Sequence, residues 1–74
     1  MQPMHPADIQ AALIKAGSSQ ADIARRVNRS RATVHGVVKG RSISRLIASE
    51  ISRVTGLPLD IIWPGRYDRP DRLN

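Results

Sequence analysis

Apolar residues recur along this chain at intervals of three and four rather than two, which is the spacing of a helix stripe. Ile9, Ala12, Leu13 and Ala16 form the first series. Pro6 stands where a first helical residue needs no N–H, and Asp8 adds negative charge to that helix end. Together they predict a helix over residues 6–16, ended by Gly17. Ser19 with Asp22 three residues on makes a capping-box-like pair, and Ile23, Ala24 and Val27 carry a narrow stripe over residues 20–27. Asn28 tolerates a left-handed backbone, and Ser30 is placed to cap a third helix over 31–39 that has Val34, Val37 and Val38 on one face. Ile43, Leu46, Ile47, Ile51 and Val54 predict the clearest amphipathic helix, over 43–55, with Gly56 as its stop. Pro58 opens a last turn over 58–62, where Leu57, Leu59 and Ile62 or Trp63 close the core.

The expected organisation is a loose leader at 1–5, one helical domain at 6–64, and a flexible tail at 65–74 in which acids and bases alternate around a second proline. The fold class is all-α, a compact bundle of four to five helices. Composition narrows what such a bundle can do. The chain has 74 residues and no cysteine, which removes disulfides, thiolate zinc sites and cysteine nucleophiles together. His5 and His35 are too few and too far apart to form a ligand cluster, so no metal or cofactor is expected. The carboxylates are scattered at helix ends with no nucleophile beside a histidine, which argues against catalysis. Apolar runs are far shorter than the roughly 20 residues a membrane span needs. With no basic-then-apolar signal at Met1 either, the expectation is a soluble cytoplasmic protein.

Charge changes the picture more. The formal net charge is +6, and Arg25, Arg26, Arg29, Arg31, Lys39, Arg41 and Arg45 follow one another with no Asp or Glu among them. Such clustering is the footprint of a polyanion partner, with a merely solvated basic face as the alternative. The third helix sharpens the choice. Opposite its valines it carries Ala32, His35, Gly36 and Lys39, with Arg31 and Thr33 at the flanks. Two very small residues one turn apart let that face lie close against another surface. The basic ends suggest DNA; the alternative is a protein-interaction module docking on a partner helix, which would bury basic neighbours at a cost. Single-stranded RNA is disfavoured because only Trp63 and Tyr67 are aromatic.

Residues 19–40 also meet the needs of a helix-turn-helix. A small residue, Ala24, stands where two steeply crossing helices approach, apolar residues flank the turn, and Asn28 suits the turn itself. In that motif the first helix crosses the DNA backbone and the second offers its N-terminal residues to base edges.

The order Gln20, Ala24, Asn28, Val34 resembles the helix-turn-helix signature of phage repressors of the lambda type. The departures are Asn28 in place of glycine and Arg29 in place of an apolar residue. One helix before the pair and two after it resemble the five-helix lambda-repressor-like domain. The segment from His5, Pro6, Ala7, Asp8 and Ile9 to Leu13 and Lys15, together with IIWPGRY at 61–67, is similar to the Ner family of small DNA-binding regulators from transposing phages and their bacterial relatives.

That resemblance implies transcriptional regulation, chiefly repression, through operator DNA. By matching positions it implies Gln20 as a backbone clamp, Ser30, Arg31, Ala32, His35 and Gly36 as groove-facing residues, and Lys39 on a phosphate. Arg31 can bond guanine O6 and N7 as a bidentate pair, while Arg25, Arg29, Arg41 and Arg45 are assigned to phosphates. His35 reads a base or a phosphate, which would make binding pH-sensitive, or is a plain exposed histidine. Trp63 is expected to plug the core rather than stack on a base. Arg66 and Tyr67 either brace the C-terminus or add a phosphate contact. One such helix covers few base pairs, so two copies on adjacent half-sites are expected, as a homodimer or as a cooperative pair.

Overall fold

The computed structural model describes residues 2–67, and the part of the expected tail at 68–74 lies outside them. Five helices follow in order: α1 (Pro6–Lys15), α2 (Gln20–Val27), α3 (Arg31–Val38), α4 (Arg45–Thr55) and α5 (Leu59–Ile62). There is no strand among the described residues. The all-α expectation therefore holds, with every predicted helix present.

Side chains start four of the five helices by accepting N–H groups that a first turn leaves unpaired. Ser19 Oγ accepts from the Asp22 N–H at 3.0 Å, Ser30 Oγ from Thr33 at 3.1 Å and Ser44 Oγ from Ile47 at 3.3 Å. At α1 the cap is His5, whose Nδ1 accepts from the Ala7 N–H at 3.1 Å. The Ser44 cap corrects the expected start of the fourth helix. Ile43 falls outside it and is 67% exposed, and Leu46, about 100° round the helix from Ile47, is 51% exposed. The core side of α4 is instead Ile47, Ala48 and Ile51.

Helix α4 is the scaffold, packing against α1, α2, α3 and α5. Around it Leu13, Ile23, Val34, Ile51 and Ile62 are completely buried. Removing each such aliphatic side chain from water contributes about 1.5–3 kcal/mol. Trp63 is buried, as expected of a core plug, and its ring meets Tyr67 edge-on at 5.4 Å.

Packing extends past both expected domain bounds. In the leader, the Met4 N–H donates to the Ile62 carbonyl at 3.0 Å and Met4 packs on the core. In the tail, Tyr67 is only 5% exposed. Its hydroxyl accepts from the Ser44 N–H at 3.2 Å, and its carbonyl accepts from Arg45 Nη2 at 3.1 Å. An aromatic with a polar tip can close a core and still satisfy a backbone donor, which a solvated tail residue would not do.

Candidate nucleic-acid interface

The link between α2 and α3 is three residues long. Asn28 takes the left-handed conformation (φ 58°, ψ 48°), and paired bonds close the end of α2, from the Arg29 N–H to the Ala24 carbonyl at 3.0 Å and from the Asn28 N–H to the Arg25 carbonyl at 3.3 Å. Arg29 takes over the end of the turn: its Nη1 donates to the carbonyls of Val27 and Asn28, at 3.3 and 3.1 Å. A cation on the carbonyl end of a helix is favoured by its dipole. Ser30 then starts α3, its hydroxyl occupied by the Thr33 N–H and by the Thr33 hydroxyl at 2.8 Å.

Val34, Val37 and Val38 bury one side of α3 completely, which turns Arg31, Ala32, Thr33 and His35 outward. Gln20, Arg31 and His35 line an open depression with Gln10 and Ile14 of α1, with a volume of about 330 Å³, and the same three residues line a neighbouring one of about 270 Å³ with Ala32. There Gln20 bridges three helices. Its Nε2 donates to Gln10 Oε1 at 3.0 Å, and its Oε1 lies 3.1 Å from His35 Nδ1.

The other candidate residues are placed differently. A Cβ on Gly36 would stand 3.2 Å from Ser42 Oγ, so the space beside this glycine is taken up by the connection to α4. Arg25 is exposed and donates to Asp22 Oδ1 at 3.0 Å. Arg45 is engaged with Tyr67 through the carbonyl bond and by lying over its ring at 5.8 Å. Arg31, Lys39 and Arg41 are exposed. At the end of α3, Gly40 (φ 81°) reverses the chain, with the Arg41 N–H donating to the Gly36 carbonyl at 2.9 Å. Arg66 comes beside Gly40.

The acids nearest this face are already neutralised. Ser18, Arg26 and Arg25 all hydrogen-bond the Asp22 carboxylate and hold its pKa below the usual range, the Ser18 bond foremost. Arg53 does the same for Glu50, helped by the charge of Arg26, which links α2 to α4 at 3.7 Å. No acid lies between Arg25 and Arg45, so α3 and its flanking loops present positive charge alone. Sequence reasoning passed over Gln10 and Ile14. The signal available was Ile14, an apolar residue off the stripe that carries Ile9 and Leu13, with Gln10 one turn before it on the same face.

Two helices joined by a left-handed turn, the second buried on its valine side and basic on its open side, define a helix-turn-helix DNA-binding domain. The chain belongs to the winged helix-turn-helix DNA-binding family, whose model matches residues 3–73. The wing of that description has no strand to represent it among the described residues. Searches of curated proteins and of solved structures returned no match. No helix among the described residues is long and apolar enough to cross a membrane, and none of their acids, cysteines or histidines cluster as a metal site would require.

Proposed function

We propose that this protein is a sequence-specific transcriptional regulator, acting in the cytoplasm as a repressor of the Ner type, that inserts α3 into the major groove of double-stranded DNA. The observation that carries this reading is the division of α3 into a sealed valine face and an open face of Arg31, Ala32 and His35, flanked by cations and free of acids. Arg31 forks onto guanine O6 and N7, Ala32 allows close approach to a thymine methyl, and His35 meets the next base edge. Gly36 lets the α3–α4 connection pass close beside the recognition helix, and Ser30 contributes at the helix start. Gln20, Lys39 and Arg41 hold phosphates. Arg25, Arg29 and Arg45 join them by exchanging their internal acceptors for phosphate oxygens, which sets affinity and register but not sequence. Two copies on half-sites about 34 Å apart supply the length of DNA that one helix cannot read.

Titration of a duplex operator, selected from a random pool, tests this directly. Six or more phosphate contacts predict a loss of roughly a thousandfold in affinity between about 50 and 200 mM salt. Arg31→Ala is expected to cost about 1–3 kcal/mol at a guanine-bearing site and to relax preference there, whereas Arg41→Ala weakens all duplexes alike. Duplex binding without salt dependence, or an Arg31→Ala variant that loses affinity uniformly, would refute the reading.

A further inference from the structure

The Gln10–Gln20–His35 chain does more than tie three helices together. Gln20 Nε2 donates to Gln10 Oε1, which leaves Gln20 Oε1 as the atom facing His35 Nδ1 at 3.1 Å. In this orientation of the two amides Gln20 Oε1 is the acceptor, and Nδ1 then carries the hydrogen. In the neutral ring Nε2 is then a bare acceptor, on a residue that is exposed. Left to itself a neutral histidine side chain favours the opposite, Nε2–H form, so this orientation of the two amides favours the less common tautomer. The charges around the ring do not oppose this. Arg31 is the only charged residue among those lining the two depressions, and α1 and α2 contribute Gln10, Ile14, Ser19, Gln20 and Ala21 to them.

We infer that His35 is a specificity residue whose Nε2 accepts a hydrogen bond from a base amino group, adenine N6 or cytosine N4, and that Gln10 and Gln20 are the positioning residues that give it this polarity. The inference rests on α3 being the recognition helix. In the major groove adenine and cytosine present amino donors, whereas guanine presents two acceptors and thymine one. An Nε2–H histidine would donate to guanine O6 or N7, thymine O4 or adenine N7, whereas a bare Nε2 can pair only with the amino groups of adenine and cytosine and rejects guanine and thymine.

Long-range ¹⁵N NMR on the full 74-residue chain without DNA, at about pH 8.5, reads the tautomer directly. The expected spectrum shows a protonated Nδ1 and an unprotonated Nε2 for His35. Gln20→Met removes the acceptor and moves the ring toward Nε2–H, and Gln10→Ala frees the Gln20 amide to turn over and yields a mixture. A wild-type Nε2–H ring, or a ring unmoved by both variants, overturns the inference. A merely structural role for the glutamines would leave the tautomer alone.

The second arm uses base substitutions in the selected operator. At the position whose preference disappears in His35→Ala, the wild type should favour adenine or cytosine by about five- to tenfold, the weight of one hydrogen bond. That preference should fall away in Gln20→Met. Guanine or thymine at that position overturns the inference while leaving DNA binding intact. Failure of the wild type to bind duplex DNA removes the functional reading and the base assignment with it, and the tautomer measurement stands apart from both.

Discussion

Asn28 is the only non-glycine residue with a positive φ among those described, at 58°. Left-handed backbone costs most L residues roughly 1–2 kcal/mol, while asparagine and glycine enter it readily. Asn28→Gly is therefore expected to leave stability within about 0.5 kcal/mol and Asn28→Ala to lower it by about 1 kcal/mol. Urea unfolding followed by the fluorescence of Trp63, the one tryptophan, would measure both. A destabilisation by glycine as large as that by alanine would show that the Asn28 side chain, not its backbone, holds the turn. Arg29 completes this residue-scale picture: where the lambda-type signature has an apolar residue, the chain uses a guanidinium on two carbonyls. The turn keeps its shape by hydrogen bonding where packing is absent.

Each helix meets its neighbours through a stripe readable from spacing, but the connections carry much of the positioning. The α3–α4 link is the clearest case. Its path brings Ser42 Oγ to 3.2 Å from where a Cβ on Gly36 would stand, a tight contact, and it ends at Ser44, which caps α4 with its side chain and is anchored through its N–H by Tyr67. Tyr67→Phe should keep the ring contact with Trp63 and lose only the hydroxyl, leaving the Ser44 N–H without that acceptor, for a cost of about 1 kcal/mol. A urea titration that found this substitution neutral would mean that water replaces the hydroxyl freely. The same aromatic also receives Arg45, so an element assigned to DNA contact on charge alone has a structural duty here.

At the scale of the molecule, α2 and α4 are joined by a girdle in which Asp22 and Glu50 sit among Arg25, Arg26 and Arg53. Both carboxyl pKa values are held below their ordinary values of 3.8 and 4.5. A depressed native pKa stabilises the fold above the unfolded value, and that contribution is lost as pH falls through the lowered native value. The midpoint of thermal unfolding should thus hold level from about pH 7 to 5.5 and decline below about pH 4.5, with a shallower decline in Glu50→Gln. A midpoint that already falls between about pH 7 and 5.5 would place the effect outside these two carboxylates. The pairs are partly exposed, with side-chain exposures of 28% for Asp22 and 18% for Glu50, so the effect is modest and weakens with salt. Within the girdle the α2 and α4 acids are spent on α2 and α4 arginines.

Helix existence, order and caps at Ser19 and Ser30 were legible in the chain, because they depend on local spacing and on side chains within three residues of the N–H groups they satisfy. The left-handed turn at Asn28 and the core role of Trp63 were legible for the same local reason and from its apolar neighbours. Other features depend on contacts between residues distant in sequence. The exposure of Ile43 and Leu46 follows from where Ser44 starts the helix against the core, and the burial of Tyr67 from a partner 23 residues away. Helical spacing marks which face of α3 is open, but folding chooses the neighbours on that face. It brings Gln10 to Gln20 and Gln20 to His35 across separations of 10 and 15 residues, a juxtaposition that no periodicity encodes.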